Sequence, residues 1–232
     1  MNREEILKNK HNLRNADLRN ADLRNADLRN ADLRGANLRG ADLRSTAIQD
    51  ANLQGADLQG ADLQGADLQD ADLQDADLQD ADLRDADLRD ANLQDADLRD
   101  ADLRDANLRC ANLQDTNLRG ADLRCANLQD TNLRGADLRG ADLRDTDLRD
   151  TDLRDTDLRD TDLRGANLKI FYSYLWTAYI TPNSTRIGCQ FFTNEQWKSF
   201  TDEEITNLHS EALNYWNQNK SIIFAIMNSF SP

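Results

Sequence analysis

Aromatic residues are missing from the first 170 positions of this 232-residue chain; all 13 lie after Ile170. Proline is missing from the same stretch, its two occurrences being Pro182 and Pro232. Between residues 11 and 170 there is one serine, Ser45, no histidine after His11 and no lysine before Lys169. That stretch therefore lacks the paired side chains of nucleophilic catalysis, and it holds no Gly-rich phosphate loop. The three cysteines have no regular spacing and make neither a disulfide framework nor a zinc site. No run approaches the ~20 apolar residues of a membrane span. The first eight residues lack the apolar stretch of a secretory signal, so the chain reads as cytoplasmic. A basic excess is missing as well. The net charge is −15. Phosphate binding needs a basic stripe, so direct nucleic-acid binding is not expected, and the charge favours a basic protein partner.

What is present is one quintet repeated 32 times from His11 to Ile170, without insertion or deletion. It reads small residue, Asp or Asn, Leu, Arg or Gln, then Gly, Asn or Asp. The centre is Leu in 31 copies and Ile48 in the other. A helix cannot use this period: at about 100° per residue, successive Leu residues walk round the cylinder and make no stripe. A short strand can. In Ala16-Asp17-Leu18, Ala and Leu share one face and Asp takes the other. The fourth and fifth residues must then turn the chain. A fifth position of Gly, Asn or Asp suits a corner with positive φ. A chain that turns the same way after every short strand winds into a solenoid with leucines along its axis. Physics alone leaves three or four sides per coil open.

The run Ala-Asp-Leu-Arg/Gln-Xaa resembles the pentapeptide-repeat family over about two thirds of the chain. That resemblance implies an all-β solenoid, a right-handed quadrilateral β-helix of about eight coils. At the spacing of paired strands the rod would be roughly 35–40 Å long. Burying each Leu is worth about 1.5–3 kcal/mol before chain entropy is subtracted. Threonine replaces Ala at first positions 46, 116, 131, 146, 151, 156 and 161. The expectation there is a slightly wider coil whose hydroxyls bond to backbone.

Three segments are expected: a capping helix at 1–10, the repeat array at 11–170 and a C-terminal capping, mainly helical module at 171–232. Asn2 and Glu5 have capping-box form, and Ile6 and Leu7 give the helix an apolar edge. A solenoid end needs such a lid. His11 reads as part of it. After the array, Pro182-Asn183-Ser184 separates two short extended runs and reads as a hairpin turn. Thr193–Gln196 and Thr201–Glu204 are capping boxes. Ile205, Leu208, Ala212, Leu213 and Trp216 fall on one helical face, and the helix is expected to weaken at Asn217-Gln218-Asn219. Cys189 is expected to be buried, and with His209 is too small a set for zinc.

Between Arg44 and Arg84 every fourth position is Gln and no basic residue occurs, while ten Asp lie in the same stretch. On a four-sided rod this makes an acidic belt. Asp57, Asp62, Asp67, Asp70, Asp72, Asp75, Asp77 and Asp80 are its candidate partner-binding residues. A structural reading competes: second-position Asp and Asn bond backbone at the corners, and Gln54, Gln74, Gln94 and Gln114 stack in a column. Cys110 and Cys125 sit at corners, exposed and on different edges, so they do not pair. An outward ladder spreads its oxygens and is a poor cage for a hard cation, so no metal or cofactor is expected. Regular Asp residues share one environment and do not divide into acid and base.

The sequence thus points to a non-enzymatic structural or interaction scaffold with an unidentified, basic protein partner. It would be a monomer, or a homodimer through the C-terminal module. The alternative is a DNA mimic that binds a type II topoisomerase (gyrase), as the resemblance implies for the quinolone-resistance branch. That branch usually carries Phe at many central positions, which this chain does not.

Overall fold

The computed structural model describes residues 1–230, so Pro232 lies outside the described residues. The rod follows from the backbone accounting of one quintet. In Ala66-Asp67-Leu68-Gln69-Asp70 the first N–H donates back across the corner to Leu63 O, at 2.9 Å. The second donates to Thr46 O in the coil before, at 3.0 Å. The third and fifth donate forward to Asp87 O and Arg89 O, at 2.7 and 3.0 Å. The fourth, on Gln69, donates to the Asp67 side chain at 3.2 Å. All five donors are thereby satisfied, as a buried backbone requires. The last of these bonds explains the second position: it must be Asp or Asn because a short side-chain acceptor has to reach the N–H two residues on.

Parallel bridges join each second-position residue to the one twenty places further, from Asp17↔Asn37 to Asp142↔Asp162. Twenty residues are four quintets, so each coil has four sides. The corners have positive φ as expected, near +58° at Asp70 and Asp80 and +62° at Gly60. Leucines from Leu13 to Leu153 are at most 3% exposed, and with the first-position alanines they form one continuous core. Six of the threonines donate their hydroxyl to a Leu carbonyl 23 residues earlier, as Thr151 does to Leu128 O at 3.0 Å. Thr161 bonds Leu158 O instead. The corner bond of Thr151, Thr156 and Thr161 lengthens to 3.4 Å, which fits the wider coil.

One second position departs from the rule. Ala47 gives the Gln49 N–H no side-chain acceptor. Ala47→Asn supplies it, and the expected gain is about 1 kcal/mol, read as a rise of roughly 2–4 °C in thermal midpoint. An unchanged midpoint would show that the side-chain acceptor adds nothing.

Helix α1, Arg3–Lys8, closes the N-terminal end. Asn2 and Glu5 form the capping box, and Ile6 seats on the open coil at 1% exposure. Arg3 donates to Arg24 O at 2.6 Å. A single 3₁₀ turn, Lys10–Asn12, leads into the first quintet.

The C-terminal end is closed differently. Strands β1 (Lys169–Phe171), β2 (Ala178–Ile180), β3 (Ser184–Ile187) and β4 (Gln190–Thr193) form an antiparallel meander in sequence order. The expected hairpin is the β2–β3 pair. The sheet beside it was not read from the sequence. Helices α2 (Asn194–Ser199), α3 (Asp202–Leu208) and α4 (Ala212–Asn228) follow, the first two with the expected capping boxes. A second core joins sheet to helices around Trp197, Tyr215 and Trp216.

The helix break differs from the expectation. α4 runs unbroken through Asn217–Asn219, because Asn219 Nδ2 donates to Tyr215 O at 2.8 Å and needs no other partner. The chain breaks at His209, which is extended (φ −169°, ψ 153°). Its ring packs edge-on against Trp176 at 5.1 Å, and its Nδ1 accepts the Glu211 N–H. Both contacts hold it out of the helix. No helix among the described residues is long and apolar enough to cross a membrane.

This module covers only two sides of the last coil. Asn167 stands in for a missing strand, its Oδ1 accepting the Leu148 N–H and its Nδ2 donating to Asp147. Asn183 donates to Asp150 at 2.8 Å, and Arg186 donates to Leu153 O. Ile170 and Tyr179 pack on the rod core. On the other two sides, Leu158 and Leu163 are only half-buried.

Candidate interaction surfaces

The surface of the rod sorts into faces and edges. Second positions carry 21 Asp and fourth positions 21 Arg, which cancel; fifth positions carry 15 Asp. The faces are where the cancelling pairs meet. Arg104 donates its Nε to Asp102 at 2.8 Å and reaches Asp122 of the next coil at 3.6 Å. The same step recurs through Arg84, Arg124 and Arg144, giving an ion-pair ladder from Asp82 to Asp162 along one face. The hydrogen-bonding guanidinium holds the partner carboxyl below its ordinary range, at about 2 for Asp17, Asp32, Asp157 and Asp162. The edges hold the rod's excess charge. Corner aspartates sit at positive φ, where Gly and Asn fit at least as well, and the chain uses those residues at other corners. Corner charge is therefore not demanded by the turn.

The candidate belt is distributed round all four faces. Asp57 and Asp77 lie in one column, and Asp62, Asp67 and Asp72 each lie in one of the others, all half-buried. Each accepts the backbone N–H two residues on, at 3.1–3.2 Å. Asp62 also lies 3.3 Å from Arg44, Asp57 lies 3.5 Å from Arg39, and Asp67 accepts from Gln49. Asp70, Asp75 and Asp80 project from corners and are exposed. The belt thus has two kinds of carboxylate: five tied into the wall and three projecting from corners, of which Asp70 accepts the Gln69 amide at 3.2 Å.

The expected Gln column is not how the amides bond. Gln94 and Gln114 reach sideways to Asp95 and Asp115, at 3.1 and 2.9 Å. The ladder is built by second-position amides instead: Asn132 donates to Asn112, Asn112 to Asn92, and Asn92 to Asp72, at 3.0–3.1 Å. The bridge fixes those Cβ atoms a strand spacing apart, within reach of a short amide, while the longer Gln reaches past to the corner.

The C-terminal module adds an apolar surface. Trp176, Trp197, Trp216 and Tyr215 wall a cleft of about 60 Å³, with Cys189 and His209 at its rim. Burial pushes the Tyr215 hydroxyl up, and it donates to Trp176 O at 3.1 Å. Cys189 is exposed, contrary to the expected burial. It occupies the two-residue turn between β3 and β4, where Gly188 (φ +59°) makes the bend and Ile187 takes the inward place. Cys110 and Cys125 are exposed at corners as expected. Beside the cleft, Tyr172 (73% exposed), Tyr174 (69%) and Leu175 (37%) project into solvent. The aromatic richness of 171–176 signalled that surface in the sequence; the pairing of knob and cleft had no local signal. Among the described residues, no group of three or more His, Cys, Asp or Glu could hold a metal ion.

Four-sided coils stacked in parallel, with inward Leu and positive-φ corners, define a quadrilateral β-helix. The chain belongs to the pentapeptide repeat family: the profile for pentapeptide repeats matches in eight copies, over residues 12–46, 48–85, 86–124 and 126–165. The helix is accordingly right-handed. Similar solved structures include Rfr23, a pentapeptide repeat protein of the cyanobacterium Cyanothece 51142, at 37% identity over 43% of this chain and 62% of that one, TM-score 0.35. This chain thus spans less than two thirds of that protein. HetL of Nostoc sp. strain PCC 7120, involved in heterocyst differentiation regulation, is 32% identical over 72% of this chain and 97% of its own, TM-score 0.27. QnrB1, a plasmid-mediated fluoroquinolone resistance protein, is 23% identical over 68% and 84%, TM-score 0.41. No curated protein sequence matches the chain.

Proposed function

We propose that the chain is a non-enzymatic interaction scaffold: eight coils over 11–170 form a stiff spacer, α1 with residues 1–10 closes one end, and residues 171–232 carry the docking surface. One observation carries this reading. Tyr172, Tyr174 and Leu175 stand exposed beside a Trp-walled cleft, in a module that holds little of the net charge. Residues 171–232 contain three basic and five acidic side chains, a net −2 of the total −15. A partner can approach there without meeting the acidic edges, and exposed Tyr is the residue type that anchors interfaces. A homodimer through this module uses the same surface. The belt corners Asp70, Asp75 and Asp80 offer a second contact for a basic partner. DNA mimicry at a type II topoisomerase is the alternative, favoured by one feature: pairing with Asp neutralises the face arginines and leaves carboxylates along the edges.

The test compares partner capture from the native host by three immobilised proteins: wild type, Tyr172→Ser/Tyr174→Ser, and Asp70→Asn/Asp75→Asn/Asp80→Asn. Capture should be lost with the tyrosines and kept in the belt variant. The reverse pattern would move docking to the belt. Gyrase captured through the belt would favour mimicry.

A further inference from the structure

We propose that the two uncovered sides of the last coil, residues 156–160 and 161–165, are a docking edge for an extended, acid-bearing segment of a protein partner, which adds as a further rung. This rests on the scaffold reading but names a surface distinct from the tyrosines.

The rod's own bonding rule carries the inference. In every inner coil the third and fifth N–H groups donate to the coil above, as Leu143 does to Asp162 O and Asp145 to Arg164 O, at 2.8 and 3.0 Å. Leu158, Asp160, Leu163 and Gly165 have the same conformation and no coil above. Among the described residues, nothing accepts their N–H groups. On the neighbouring sides the chain supplies cover, Asn167 Oδ1 accepting the Leu148 N–H and the Arg186 guanidinium donating to Leu153 O, although the Leu153 and Asp155 N–H groups have no acceptor among the described residues either. Here it supplies none, and Leu158 and Leu163 stay half-buried.

The ion-pair ladder stops at the same place. Arg139 lies 3.7 Å from Asp157 of the next coil, and Arg144 lies 3.7 Å from Asp162. Arg159 and Arg164 bind only the Asp of their own quintet. Their side chains are 70% and 77% exposed, against 39% and 35% for Arg139 and Arg144. Each presents a guanidinium edge of the kind that meets a carboxylate of the next coil at Arg39 and Arg139 on one face and at Arg24, Arg44, Arg84, Arg104, Arg124 and Arg144 on the other.

These features specify the occupant. Its backbone carbonyls accept from the free N–H groups, as in strand addition at an exposed edge. An acidic side chain faces Arg159 and another, five residues on, faces Arg164. An apolar side chain one position after each acid completes the cover over Leu158 and Leu163. A second copy fits poorly. Its own last coil would set Arg159 and Arg164 against the same arginines, and its first coil is closed by α1.

The probe is a labelled decapeptide copying residues 136–145, ADLRGADLRD, added to the full-length protein and followed by fluorescence anisotropy and amide hydrogen exchange. The expected result is saturable binding at low salt. It should protect the amides of Leu158, Asp160, Leu163 and Gly165. It should weaken at least tenfold in Arg159→Glu/Arg164→Glu and with a peptide whose second and seventh residues, the Asp that face those arginines, are Lys. Circular dichroism checks that the variant keeps its fold. Tyr172→Ser/Tyr174→Ser should bind the peptide normally, which separates this edge from the tyrosine surface. The proposal is overturned by absence of saturable binding up to millimolar peptide, by binding indifferent to the charge reversals, or by sedimentation showing that wild-type copies pair through this edge.

Discussion

Leu98→Ala should lower the unfolding free energy by about 2–5 kcal/mol, the range for emptying a closed apolar site. Leu98 is 0% exposed, with leucines of the coils above and below stacked on it. In a solenoid each coil touches only its neighbours, so the loss is set by how completely those neighbours enclose the site. Leu163, half-buried at the last coil, makes the control. Leu163→Ala should cost less than half as much, since solvent already reaches that side. Urea unfolding of both variants, compared at equal slope, reads the difference. Equal losses would mean that the stacked axis is not the source of stability.

Acidification should bring a second large effect. Carboxyls of the face ladders are depressed by their Arg partners, to about 2 at Asp17, Asp32, Asp157 and Asp162, from an ordinary 3.8. Asp82, Asp87, Asp137 and Asp142 shift in the same direction, again chiefly through the guanidinium hydrogen bond. A group whose folded value lies below its unfolded value stabilises the fold above the unfolded value, and that contribution drains away as pH falls through the folded one. The thermal midpoint should therefore be flat above about pH 5 and fall between about pH 4 and 2. Each pair is solvent-exposed and weak by itself. Many act together, so the midpoint should fall measurably across that window. Protonating the edge aspartates relieves repulsion and works the other way. A midpoint that rises on acidification would show that edge repulsion outweighs face pairing.

The rod was legible because one quintet answers every local question. Its Leu must face inward, its fifth residue must take a corner, and no other period competes. Even the Thr hydroxyl bonds follow from placing a donor at a small inward site. Legibility ended where a choice depended on reach or on long-range contact. Asn92 and Gln94 carry the same amide, and only the bridge geometry shows that the shorter one builds the ladder. His209 looks like an ordinary helical residue until Trp176, 33 positions earlier, is seen against it. Cys189 has the composition of a buried residue, but the hairpin register gives the inward place to Ile187. The belt residues were found by counting charges along the chain. Their division into wall-bound and projecting carboxylates needed the coil.

A four-sided coil also makes the chain a dial. Adding twenty residues would lengthen the rod by about 4.8 Å and leave both ends facing as they do now. Adding five would turn the terminal module a quarter turn about the long axis relative to α1. The number of quintets therefore sets the azimuth between the two ends as well as the distance, so duplication of a single unit re-aims one end without altering a residue in it.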